Sequence, residues 1–135
     1  MSDWNNGIID EFRSNDGIVG GMFEGKPVLL LHHRGAKTQT ERVSPLMYKQ
    51  LNDAYAVFAS KGGADTNPGW FYNLVANPDV SIEIGPDKVD VRARLADADE
   101  REAIWEPWKK EFPQFAGYEK KTSRDHIPVI VLDPA

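Results

Sequence analysis

The chain contains no cysteine among its 135 residues, which excludes disulfides, thiolate metal sites and a cysteine nucleophile. It also lacks a long apolar run: clean aliphatic stretches such as Val28 to Leu31 fall far short of the ~20 residues a membrane-spanning helix needs. Positive charge is scarce. With 16 basic residues against 21 acidic ones the net charge is −5, a balance that counts against general nucleic-acid binding. Repeats and low-complexity tracts are absent. The chain opens on acidic and amide residues, not on a basic segment followed by an apolar one, so no signal peptide is visible and the expected compartment is cytoplasmic, without stable membrane insertion.

What is present describes a globular protein. The hydrophobic share is 41% and the charged share 27%, and the length suits a single domain over residues 1–135 that buries roughly two-thirds of its unfolded surface. Ile8, Ile9 and Phe12 recur with Trp4 at helical spacing, predicting an N-terminal helix within 1–16. Its polar face is net acidic, so packing on the core is expected rather than docking on anionic lipid. A Gly-rich connection follows over 17–27.

Beyond it, β-rich runs predict strands at Val28–His33, Arg42–Leu51, Tyr55–Ser60, Val80–Ile84, Val89–Leu95 and Ile127–Leu132, the fourth and fifth joined as a hairpin through Gly85-Pro86-Asp87. Two further helices interrupt them. One starts at Asn67 as N-cap with Pro68 in the first turn; the other starts at Asp97 with Glu100 three residues on, and Pro107 is expected to bend or divide it. Six short strands and three helices, mostly with hairpin-length links, imply a mainly β fold: a six-stranded antiparallel barrel with flanking helices.

Two segments hold the candidate site: GAKTQTERVSPL from Gly35 and ASKGGADTNPGWFYNL from Ala59. Each places cations, hydroxyls and backbone N–H groups at a glycine-containing bend, the equipment for gripping an anion. Lys26 through Lys61 contains six basic residues and two acids, a local balance of +4 that leaves −9 on the rest of the chain. Such an island focuses a negatively charged small molecule. His32-His33 is not expected to share a metal, because neighbouring side chains on a strand point oppositely, and no metal site is predicted.

Taken in order, Gly35-Ala36-Lys37-Thr38, Arg42-Val43-Ser44-Pro45-Leu46, Ala59-Ser60-Lys61-Gly62-Gly63-Ala64, Asn67-Pro68, Trp70, Asn73-Leu74 and Ala76-Asn77-Pro78 closely resemble the deazaflavin-dependent nitroreductase family, and the likeness continues through Pro113 and Tyr118 to Ile127-Pro128-Val129. The resemblance implies a split β-barrel that binds coenzyme F420 and uses its reduced form as hydride donor toward enones, quinones or nitro compounds. It assigns Lys37, Thr38 and Arg42 to the coenzyme's phosphate and tail, Pro45 and Leu46 to a strand along its ring, and Ala59, Ser60, Lys61, Gly62 and Gly63 to the opposite side. Ser60 and Tyr118 are implied on the acceptor side, as catalytic residues that orient or protonate the acceptor.

Departures from the family pattern are Ala36, where Arg is common, and Gln39, where a second glycine is usual. Arg34 is a candidate to bring a cation to the same phosphate from the other side of the bend, although neighbouring strand side chains point oppositely. Met47 and Phe115 stand where a nitroimidazole-reducing relative has tyrosines, so enones or quinones are expected over nitroimidazoles. Competing readings are an FMN-dependent split-barrel oxidoreductase, a protein that sequesters F420 without turnover, and an OB-like single-strand binder that the acidic balance disfavours. A small-molecule acceptor is the expected partner, with no nucleic acid, and the chain acts as monomer or homodimer.

Overall fold

The computed structural model describes residues 2–15, 17–20 and 26–135. Positions 21–25 of the expected Gly-rich connection, and Met1 and Asp16 of the expected N-terminal segment, lie outside the described residues.

Six strands close into an antiparallel barrel: β1 (Val28–Arg34), β2 (Glu41–Gln50), β3 (Tyr55–Phe58), β4 (Asp79–Ile84), β5 (Asp87–Leu95) and β6 (Val129–Pro134), in the spatial order β1-β2-β3-β6-β5-β4. Alternation sorts their side chains. Leu29, Leu31, Val57, Ile82, Val91, Ile130 and Leu132 fill the interior, where Leu74 of the helix Gly69–Ala76 (α2) also packs. Outside, Ile9 and Phe12 of α1 (Ser2–Ser14) cover Val28 and Leu30. Gly17, at φ +94°, donates its N–H to the Phe12 carbonyl at 2.8 Å and closes this helix, as expected of a glycine cap.

A third apolar layer joins α3 (Ala98–Glu111) and α4 (Gln114–Lys121) to β3 and β6. Its centre is aromatic, with Phe58 stacked on Trp108 at 4.4 Å between ring centroids and Phe115 packed edge-on against both. Asp97 caps α3 through a 2.9 Å bond from the Glu100 amide.

The structure corrects four sequence expectations. Strand β3 ends at Phe58, because Ser60 adopts helical dihedrals (φ −75°, ψ −42°) at the head of a 3-10 turn over Lys61–Gly63. Asn67 does not cap α2; Pro68 holds that position, and the Asn67 side chain instead accepts a 2.6 Å bond from Arg124. Pro107 neither divides nor ends α3, which continues to Glu111. Residues 114–121 form a fourth helix where three were expected, and it carries Tyr118.

Candidate functional site

The barrel is unevenly sewn. Strand β2 pairs with β1 from Val28↔Met47 to Arg34↔Glu41, but with β3 only through Tyr48↔Val57, Lys49↔Ala56 and Gln50↔Tyr55. From Glu41 to Met47 its other edge has no strand opposite among the described residues. Tyr48 donates its N–H to Pro27 on the β1 side at 3.2 Å, so by alternation the main-chain groups of Val43, Pro45 and Met47 face the gap. Pro45 therefore sits where its missing N–H costs no bond to β1, the edge placement that proline requires in a sheet. The N–H groups of Val43 and Met47 remain turned outward on either side of it. On the far side, β3 turns away after Phe58, with Ala59 donating to the Pro128 carbonyl at 3.0 Å. Pro45 and Leu46 thus lie on one lip of the gap in the β2–β3 pairing, and Ala59 to Gly63, which follow the end of β3, make the other.

The bend between β1 and β2 sits at one end of the β2 lip. It is closed internally by Gly35 N–H to Thr40 O (2.9 Å), Gln39 N–H to Gly35 O (3.0 Å) and Thr40 N–H to the Thr38 hydroxyl (3.3 Å). These bonds leave the amides of Lys37 and Thr38 without a partner among the described residues. Lys37 and Arg42 are both exposed, and neither has a carboxylate within 4 Å among the described residues. Arg34, in contrast, lies 3.8 Å from Glu41 and on the opposite face of the sheet from Arg42. Gln39 has φ +58°, a left-handed conformation that disfavours a side chain and explains physically why a glycine suits this position.

The 3-10 turn carries the second strained residue, Lys61 at φ +48°, whose ammonium donates to the Thr66 hydroxyl at 3.2 Å. Ala59 is fully buried and Ser60 nearly so. What holds this lip is a residue outside every sequence motif. Arg124 donates to the carbonyls of Ala59 and Ser60 (both 2.8 Å), to Asn67 Oδ1 (2.6 Å) and to the Thr122 hydroxyl (2.9 Å), while Thr122 itself bonds Ala64 O at 2.7 Å. Nothing in the sequence places Arg124 beside Ser60, 64 positions away; only the Ile127-Pro128-Val129 motif nearby hints that this stretch matters. Gly63 (φ +84°) packs on the main chain of Tyr118, so the structure brings Tyr118 to the same lip as Ser60.

His32 and His33 point apart. His32 lies 2.6 Å from Glu83, whose carboxylate also takes two bonds from Arg13; these partners hold Glu83 below the usual carboxylate range, Arg13 foremost, against the opposing effect of burial. His33 is buried, with Nε2 2.9 Å from Ser44 Oγ and Nδ1 2.9 Å from Asn73 Nδ2. Burial, then the charges of Arg42 and His32, lower its pKa to about 4, so it is neutral at physiological pH. No group of three His, Cys, Asp or Glu side chains gathers among the described residues.

A concave surface of about 890 Å³ is lined by Arg34, Arg42, Val43, Asp79, Ser81 and Asp90 among others. Its arginines flank the bend, but none of Ser60 to Gly63 lines it, so it does not coincide with the gap between the lips.

A six-stranded antiparallel barrel with one pairing left incomplete defines the class of split barrels. The family model for F420H(2)-dependent quinone reductases matches residues 6–134, and the chain belongs to that family. An F420H(2)-dependent quinone reductase of Mycobacterium tuberculosis is 39% identical over 125 residues, covering 90% of this chain and 83% of the relative. Among solved structures, an F420-H2 dependent reductase (FDR-A) is 39% identical with TM-score 0.72, covering 79% of this chain and 94% of that one. A protein described as a domain-swapped dimer is 36% identical with TM-score 0.74 and covers 98% of both chains. The fold alone is shared with the haem protein HutZ of Vibrio cholerae, at 18% identity and TM-score 0.62.

The chain is therefore an F420-dependent oxidoreductase with F420H2 as hydride donor and a small-molecule acceptor. This sets aside the FMN and single-strand-binding readings. No helix among the described residues is long and apolar enough to cross a membrane.

Proposed function

We propose that the acceptor is a quinone, reduced in the gap between the β2 lip and the Ala59–Gly63 lip. The observation that places the coenzyme in this reading is the unpaired β2 edge, flanked at its end by two cations that no acid neutralises among the described residues. The residues fit the coenzyme. Lys37, Arg42, the Thr38 hydroxyl and the free amides of Lys37 and Thr38 form a cationic nest for its phosphate and acidic tail. The outward N–H groups beside Pro45 suit the edge of its flat ring.

When bound, the reduced coenzyme supplies a hydride; a quinone that takes up this hydride and a proton leaves as the hydroquinone. The protein's part is distance, angle and dryness. Ser60 orients one acceptor oxygen, and Tyr118, half-buried against Phe115 at 5.2 Å, offers its hydroxyl to the other. Met47 and Phe115 stand where a nitroimidazole-reducing relative has tyrosines, and two phenols fewer favours a flat apolar acceptor over a nitroimidazole. The names of the family and of its Mycobacterium tuberculosis relative favour quinones over enones.

The test is a fluorescence titration with oxidised F420, followed by F420H2 oxidation with a benzoquinone, cyclohexenone and a nitroimidazole. Turnover fastest with the quinone is expected. Coenzyme binding without oxidation by any of the three would favour sequestration, and faster nitroimidazole turnover would overturn the acceptor assignment. We place the protein in the cytoplasm, as one domain, and propose a homodimer on the strength of the dimeric neighbour.

A further inference from the structure

The bend that carries Lys37 is held from beneath by a chain of side chains that begins inside the barrel. The amide of Ala36 donates to Asn73 Oδ1 at 2.9 Å, which turns Asn73 Nδ2 toward His33 Nδ1, also at 2.9 Å. With Nδ1 accepting, the proton of the neutral imidazole lies on Nε2 and is given to Ser44 Oγ at 2.9 Å. Asn77 touches the same bend from the end of α2, its Nδ2 lying 3.5 Å from the Arg34 carbonyl. Helix α2 thus grips the chain on both sides of Gly35.

We propose that His33 and Asn73 are positioning residues for the anion-binding bend: His33 fixes the rotamer of Asn73, and Asn73 fixes the Ala36 amide, so that the amides of Lys37 and Thr38 converge on one anion. The inference rests on the coenzyme reading above and adds a structural condition to it. Three observations support it. Among the described residues, Ala36 is the one amide of residues 36–38 tied to another element, so its anchor decides where the next two point. His33 is 5% exposed, so its ring is fixed by packing and gives Asn73 a rigid partner. Asn73 belongs to α2, the next element after the 3-10 turn of the Ala59–Gly63 lip, so the same bond ties the two halves of the site together.

If the chain acts as a unit, breaking it at either link should give the same loss. The experiment compares His33→Leu, Asn73→Ala, the double variant and His33→Asn, whose side-chain oxygen can stand where Nδ1 accepts. Each is titrated with oxidised F420, assayed at saturating coenzyme, and examined without coenzyme by amide hydrogen exchange at Ala36. Expected are at least fivefold weaker binding in H33L and N73A, a double variant no more than twofold worse than either, and H33N within twofold of wild type. The turnover number at saturation should change less than threefold, because the ring and acceptor residues are untouched. Exchange at Ala36 should accelerate at least tenfold in N73A and H33L. Unaltered protection at Ala36 in both overturns the proposal whether or not coenzyme binds; so do additive losses in affinity, or wild-type affinity in N73A. Should H33L fail to fold, N73A against H33N makes the same comparison. Wild-type protein that does not bind F420 at all would sink the coenzyme reading, leaving the exchange result to judge the chain.

Discussion

Gly63 lies against the backbone of Tyr118 so closely that a Cβ on it would come within 2.9 Å of the Tyr118 carbonyl oxygen and 3.0 Å of its Cα. The glycine turn and α4 are therefore one packed unit. At φ +84° a side chain at this position is also strained in its own right. Gly63→Ala should cost about 2 kcal/mol or more and lower quinone turnover with it, since backbone cannot yield as a flexible side chain does. Chemical denaturation beside a turnover assay checks both; wild-type stability would mean that the lip is looser than this packing implies.

Gln39 offers the opposite case. It holds φ +58° with only a long 3.4 Å bond from its side chain to the Gly35 carbonyl. Gln39→Gly should raise stability by about 0.5–1 kcal/mol by removing left-handed strain, with coenzyme affinity unchanged or improved. A melting curve showing a loss would count against strain at this bend.

Reversing the cations tests the electrostatic grip directly. Lys37→Glu or Arg42→Glu should weaken F420 binding more than tenfold, since a charge-assisted hydrogen bond contributes roughly 1.5–3 kcal/mol and reversal adds repulsion. Because both side chains are exposed, wild-type affinity should itself fall with added salt as screening shortens below about 8 Å. Affinity indifferent to both changes would remove the basis for the site.

Arg124 should behave as a brace. Arg124→Met removes its bonds to the Ala59 and Ser60 carbonyls and to Asn67, leaving those acceptors part-buried without their donor. We expect a loss of about 2–3 kcal/mol and at least a tenfold drop in kcat/KM, read from urea unfolding and steady-state kinetics.

Acid sensitivity should follow His33. Its folded pKa of about 4 lies below the unfolded value near 6.5, so between these values the unfolded chain binds more protons and stability falls as pH falls. The loss should be on the order of 2–3 kcal/mol, complete by about pH 4 and absent above about pH 7. His33→Asn should flatten this part of the stability profile relative to wild type; an identical slope would show that other groups set it.

The sequence by itself determined the six strands, because alternating apolar residues and turn signals such as Gly85-Pro86-Asp87 are local and survive without tertiary context. The bend that carries Lys37 between β1 and β2, and a turn at Gly62-Gly63, were legible in it too, because glycines and polar residues between β-rich runs are local turn signals. Helix α4 escaped it: Gln114–Lys121 is short, contains Gly117 and carries one buried residue, Phe115, so its helical form is set by packing on Trp108 and Phe58 rather than by periodicity. Asn67 reads as an N-cap in isolation, yet Arg124 claims its side chain. The gap in the barrel, Arg124 under Ser60 and the link from His33 through Asn73 to Ala36 were decided by the tertiary structure alone, because each depends on which distant groups closure of the sheet brings within hydrogen-bond reach, and no local pattern encodes that distance.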